Sequence, residues 1–190
     1  MGRLPWLSQN VLFNLVKTSA NFKGTRILGV DVGTKLVGLS IADTPYVFAS
    51  PLGVLDNPRL MTRIRADIQQ IQKEYNVGTI VVGWPVMPDG RVSKQCRKVE
   101  NFAKEAFIDL PNVPVTFWDE RHTTNIAESI VDDLKADHGI AQSSWKKRSG
   151  KHANPYKNYK KCEKRKQNMD AIAAAVILQS FLDFHNNNDT

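Results

Sequence analysis

Three acids stand where alternating strands and helices can bring carboxylates together. Asp31 nearly ends the apolar run Ile27-Leu28-Gly29-Val30-Asp31-Val32. Glu120 follows a second such run, Pro114 to Trp118. Asp170 stands just ahead of Ile172, Ala173, Val176, Ile177 and Phe181, which repeat at helical spacing. Carboxylates that converge repel one another and raise each other's pKa unless a cation lies between them. Mg²⁺ and Mn²⁺ favour all-oxygen donor sets. Held by Asp31, Glu120 and Asp170, one or two such ions can activate water and stabilise the leaving oxygen of a phosphodiester. Plainer roles stand beside this one. Asp170 at a helix start can serve the helix dipole. Asp119 competes with Glu120, because neighbours on a strand face opposite ways. Arg121 either pairs with Asp119 or meets a phosphate.

The second signal is Gly33-Thr34-Lys35, two residues after Asp31 and followed by Gly38. Gly33 permits a tight turn, and Thr34 and Lys35 can offer an amide, a hydroxyl and a cation to phosphate. A glycine turn between strands is often no more than a turn. Its place beside Asp31 makes it a candidate substrate contact.

These residues need a scaffold. Strands are expected at 27–32, 36–42, 46–55, 79–83 and 114–118, with the Gly33 turn making the first pair an antiparallel hairpin. Helices are expected from Pro58 through Ile64, Ile68 and Ile71, over 92–108, from Thr123 or Thr124 to about Leu134, and over 169–184. Three leading strands, then alternating helices and strands, imply a mixed five-stranded α/β sheet with helices on both faces. If the first and last strands run parallel, Asp31 and Glu120 share the edge where such sheets build sites. Residues 1–24 read as an extension with one short amphipathic helix formed by Trp6, Leu7, Val11, Leu12, Leu15 and Val16. Residues 25–185 form one domain with a basic insertion at about 138–167, and residues 186–190 a polar tail.

The net charge of +7 is unevenly spread. Residues 146–166 hold ten Lys and Arg against Glu163, and residues 1–26 hold four bases and no acid, whereas residues 27–145 hold twelve bases against fifteen acids. Lys146, Lys147, Arg148, Lys160, Lys161, Lys164, Arg165 and Lys166 are therefore candidate contacts to a polyanion. A solvated loop, basic for solubility, is the competing account. No apolar run is long enough to span a membrane. Cys96 and Cys162 lack metal-ligand spacing, and unpaired thiols suit a reducing compartment such as the cytoplasm. An organelle is the alternative if the acid-free residues 1–24 act as a presequence.

Four blocks together resemble one family. Ile27 to Asp43 (ILGVDVGTKLVGLSIAD), Val81 to Pro85 (VVGWP), Asp119 to Thr124 (DERHTT) and Met169 to Leu182 (MDAIAAAVILQSFL) are similar to the signature blocks of the YqgF/RuvX family. Its members are described as Holliday junction resolvases and as pre-16S rRNA nucleases. The resemblance spans residues 26–183. It implies a ribonuclease H-like fold and a nuclease site at Asp31, Glu120 and Asp170. The strand ending Gly83-Trp84-Pro85 carries no acid, and the resemblance places the second carboxylate in the Asp-Glu-Arg block. The extension and the long basic stretch depart from the compact bacterial pattern and suggest a eukaryotic or organellar version.

Two other function classes compete. Asp-x-Gly-Thr also marks the phosphate hairpin of sugar kinases and actin-like ATPases, which need two such domains, more than 190 residues are expected to supply. A non-catalytic binding module would grip RNA through the basic segment and Trp145, Tyr156 and Tyr159. The three acids favour an enzyme. The expected partner is nucleic acid, either an RNA precursor or branched DNA. A four-way junction calls for a symmetric homodimer with two sites, whereas a precursor-rRNA nuclease can act as a monomer. Processing of rRNA precursors is the favoured reading.

Overall fold

The computed structural model describes residues 6–56, 61–123 and 164–187. Five strands form one sheet: β1 (Arg26–Val32), β2 (Leu36–Ala42), β3 (Ala49–Asp56), β4 (Val77–Trp84) and β5 (Val115–Asp119). Their order is β3-β2-β1-β4-β5. β1 pairs antiparallel with β2, and β2 with β3; β4 runs parallel to both β1 and β5. The expected mixed sheet is therefore present. β1 and β5 point the same way, but they are not neighbours, because β4 lies between them.

The helices are α1 (Gln9–Thr18), α2 (Met61–Glu74), α3 (Lys94–Ala106) and α4 (Lys164–Asn187). Alternation along each strand splits the apolar residues into two layers. Leu28, Val30, Val32, Val37, Leu39, Ile80 and Val82 face α2 and α3, against Ile64, Ile68, Ile71, Val99 and Phe102. Ile27, Val81 and Trp118 face the other way and pack with Ile177, Leu178, Phe181 and Leu182 of α4 and Leu12, Phe13 and Val16 of α1. The N-terminal segment is thus built into the second layer. Trp6 bridges to Val115 and stacks on Phe117 at 4.7 Å between ring centroids.

Several boundaries differ from expectation, each for a local reason. Tyr46 does not begin β3; its φ is +64° and its hydroxyl donates to the Thr25 carbonyl at 2.8 Å, so it plugs the layer near β1. Trp6 and Leu7 lie outside α1. Val11 is 53% exposed, while the overlooked Phe13 is buried. Ser93 caps α3 by accepting from the Cys96 amide, which fixes the helix start at Lys94. The expected starts at Pro58 and Thr124 fall outside the described residues, as do Trp145, Tyr156, Tyr159 and Cys162. α4 begins at Lys164, not Met169, because Lys, Arg and Gln are good helix formers and neither Gly nor Pro interrupts the stretch.

Candidate active site

The sheet edge at the C-terminal ends of β1, β4 and β5 gathers the acids. Asp31, the penultimate residue of β1, is the register partner of Gly38 on β2. The face they share is the one that α4 covers. A Cβ on Gly38 would lie 2.0 Å from the Asp170 carbonyl oxygen, so the α4 backbone rests on β2 at that glycine. A Cβ on Gly29 would likewise meet Leu178 Cβ at 2.8 Å, and Ser40 Oγ donates to the Ala174 carbonyl at 2.8 Å. Missing side chains let α4 settle onto the strands, and this contact brings Asp170 alongside Asp31.

Asp170 stands six residues inside α4, whose first turn contains no acid. The dipole role considered for Asp170 is therefore overturned, since that effect fades within the first turn.

Glu120 arrives from the other side. On β5, Trp118 points toward α4 and donates from Nε1 to Ser180 Oγ at 3.1 Å. Two residues on, Glu120 opens a 3-10 turn, Glu120–Thr123. Its carboxylate reaches back over β4, where a Cβ on Gly83 would lie 2.5 Å from Glu120 Oε1. A side chain at Gly83 would occupy the route from β5 toward β1. Asp119, the competing neighbour, is engaged elsewhere: Arg121 donates from Nη2 to Asp119 Oδ2 at 2.7 Å and from its amide to Oδ1 at 2.9 Å. Of the two roles open to Arg121, the structure shows the ion pair.

The electrostatics record the crowding. Burial, and then the charge of Asp170, raises the Asp31 carboxyl to about 6. Burial, then Asp31 and Asp119, raises Glu120 to about 7. Asp31 is thus common to two interacting pairs. Among the described residues, no three His, Cys, Asp or Glu side chains lie close enough to hold an ion as they stand. The donors themselves suit a hard cation: they are all oxygen, and their repulsion is of the kind a divalent ion relieves.

The remaining candidates scatter. Gly33 and Thr34 line a cleft beside the β1–β2 turn, and Lys35 is exposed on that turn. Lys164, Arg165 and Lys166 belong to the first turn of α4. Lys146, Lys147, Arg148, Lys160 and Lys161 lie outside the described residues. Sequence reasoning missed the roles of Gly38 and Gly83. The available signal was a glycine inside a largely apolar strand, which often marks a close approach.

A mixed sheet covered on both faces, with interacting carboxylates at the ends of its first and last strands, defines a ribonuclease H-like protein. The yeast mitochondrial Holliday junction resolvase Ydc2 shares this fold: the similarity covers 95% of this chain and 87% of that one, with a TM-score of 0.51 and 11% identity. Residues 25–153 match the family described as "RuvX: Holliday junction resolvase", and the chain belongs to that family. A protein from Caldanaerobacter subterraneus named "Putative pre-16S rRNA nuclease" is 33% identical over 162 residues, covering 85% of this chain and 99% of its own length. One of the same name from Thermoanaerobacter pseudethanolicus is 34% identical over 168 residues, covering 85% of this chain and 99% of its own.

Proposed function

We propose that this chain is a divalent-metal-dependent endonuclease that hydrolyses phosphodiester bonds of structured nucleic acid, with rRNA precursors as its substrate class. One observation carries the reading: Glu120 reaches across side-chain-free Gly83 toward Asp31, whose carboxyl is pushed up by burial and then by the charge of Asp170. Fold maintenance alone does not call for such an arrangement, since like charges at close range cost stability. Asp31 and Glu120 are the pair that would hold Mg²⁺ or Mn²⁺, with Asp170 the third donor. When bound, such a cation makes water a better nucleophile and offsets the charge that builds on the phosphate. The chain's own residues supply placement. Gly38 and Gly83 set the approach of two of the acids, and the turn at Gly33, Thr34 and Lys35 lies where a flanking phosphate can be held. Arg121, tied to Asp119, keeps the Glu120 turn oriented.

The names of the relatives support the rRNA reading, and the family's own description supports a second, cleavage of branched DNA. Purified protein with Mg²⁺ or Mn²⁺ is to be given a labelled precursor-rRNA end and a labelled DNA four-way junction. Metal-dependent cutting of the RNA is the expected result. Cutting of the junction alone, by a species that sediments as a dimer, would establish the second reading. Tight binding of RNA without cleavage, whichever metal is supplied, would make the chain a binding module.

The packing of α1 bears on the presequence alternative. No helix among the described residues is long and apolar enough to cross a membrane. Phe13 is 1% exposed and packs on Phe181 and His185. This burial supports residues 9–18 as a lasting part of the domain rather than a removable leader.

A further inference from the structure

Beside the catalytic edge, on the opposite face of the sheet, lies a cleft of about 370 Å³. Its wall includes Gly33 and Thr34, so the turn that follows Asp31 separates it from the acids. We propose that this cleft takes one unpaired base of the substrate strand, next to the bond that is cut. The proposal rests on the nuclease reading above and adds a preference: strands with a bulged or single-stranded nucleotide at that point.

Size is the first argument. Small-molecule sites run from about 300 to 1,000 Å³, so this one suits a single nucleotide and not a duplex. The lining is the second. Val32, Met61 and Phe102 give it an apolar floor, and Gln95 and Asn101 give it an amide rim. A base needs this combination, with a flat apolar body and an edge that donates and accepts hydrogen bonds. Gln95 is already oriented, since its Nε2 donates to the Val32 carbonyl at 3.2 Å. Glu105, also on the wall, can accept from an exocyclic amine.

Charge is the third argument. Lys98 stands on the wall, and Lys94 and Arg97 lie on the same half of α3. The acids of α3 are Glu100, at its centre, and Glu105, near its end. A strand crossing the sheet edge at the Gly33 turn can place a phosphate by Asp31, a base in the cleft and the adjoining backbone near Lys98. A paired base cannot enter without breaking its pair and leaving its stack, a cost that an unpaired base avoids. That difference is the source of the preference.

The test uses the full chain without metal, titrated with AMP, CMP, GMP and UMP and followed by backbone NMR. Shifts at residues 95, 98, 101 and 102 are expected for at least one nucleotide. Cleavage is then measured with metal on two duplexes that differ by one bulged nucleotide. The bulged one should be cut faster. Asn101→Phe, at an exposed position, fills the cleft from its rim and should raise KM for the bulged substrate about tenfold, with a much smaller effect on kcat. Lys98→Ala should raise KM for both substrates. A wild-type protein that cuts both duplexes equally, or whose cleft amides ignore all four nucleotides, would overturn the proposal and leave the nuclease reading intact. Shifts in the cleft of a protein that never cuts would overturn the nuclease reading and, with it, the cleft's place beside a cut bond. Asp31→Asn provides the control, since it should lose cleavage and keep the nucleotide shifts.

Discussion

At the scale of single residues, Asp31 carries the most weight, because it interacts with both other acids. Asp31→Asn and Glu120→Gln should each lower the cleavage rate more than about hundredfold, beyond the 10–100-fold typical of groups that merely support a metal ligand. Asp119→Asn should be much milder, since it disturbs an exposed pair with Arg121. Single-turnover rates at equal metal settle the order, and an inactive Asp119→Asn with an active Glu120→Gln would mean that the wrong neighbour has been assigned. Burial, and then the neighbouring acids, gives the site a pH signature in the metal-free protein. Asp31 and Glu120 hold protons more tightly when folded than the ordinary carboxylate range allows. The folded state therefore binds more protons than the unfolded one, and stability falls as pH rises from about 4 through 6 to 7. Asp31→Asn removes part of that loss, so its melting temperature should gain on wild type between pH 5 and pH 8. Asp170→Asn should move the same way, because it withdraws a charge that burdens Asp31. A uniform loss of stability at all pH values would make these acids structural. The residue types at 31, 120 and 170 could be read in the sequence. The resemblance favours Glu120 over Asp119 from the sequence, and what packing adds is that Arg121 occupies the Asp119 carboxylate.

Elements convert those residues into a site through glycine. Gly38 and Gly83 look alike in sequence, but their neighbours differ in kind. A methyl on Gly38 would strike the backbone of α4 at Asp170, whereas one on Gly83 would meet the ends of the Glu120 and Ile177 side chains, which can turn away. Gly38→Ala should therefore cost stability, about 1–3 kcal/mol as for an overpacked core, together with activity. Gly83→Ala should fold nearly normally and still lose activity, because Glu120 can no longer lie across β4. Chemical denaturation and cleavage rates on both variants separate the two mechanisms, and equal stability losses would show that Gly83 is packed as rigidly as Gly38. The strands followed from apolar runs and turns, whereas the place of β4 between β1 and β5 shows only in the pairing. The start of α4 did not follow either, because Lys164-Arg165-Lys166 reads as part of a basic linker, although all three are good helix formers. The face of α1 was also misjudged. Val11 and Phe13 are both apolar and two apart, so they cannot share a helical face, and the decision fell to the pocket formed with Phe181 and His185. Phe13→Ala should cost about 3–5 kcal/mol in unfolding free energy and leave kcat unchanged. A negligible cost would detach α1 from the core and favour the presequence reading.

Across the whole molecule, charge and chemistry occupy different parts of the chain. Two of the three site acids, Asp31 and Glu120, are carried by a body with more acids than bases over residues 27–145, and ten bases are concentrated in residues 146–166. A polyanion would be repelled by the first and drawn to the second, so attraction and cutting need separate surfaces. Lys164, Arg165 and Lys166 tie the two together, because they begin the same helix that sets Asp170 beside Asp31. If the segment grips phosphates, neutralising Lys146, Lys147, Arg148, Lys160, Lys161, Lys164, Arg165 and Lys166 must release fewer counterions on binding. The slope of log affinity against log salt should then shrink by about 0.7 to 0.9 for each phosphate no longer neutralised, and single-turnover cleavage at saturating enzyme should barely change. The two readouts are independent, so each can fail alone. A solvated loop would leave both slope and rate unaltered. A loop that positions the scissile strand would lower the saturated rate as well as the slope. A smaller slope with an intact rate is the outcome that assigns affinity to residues 146–166 and chemistry to Asp31, Glu120 and Asp170.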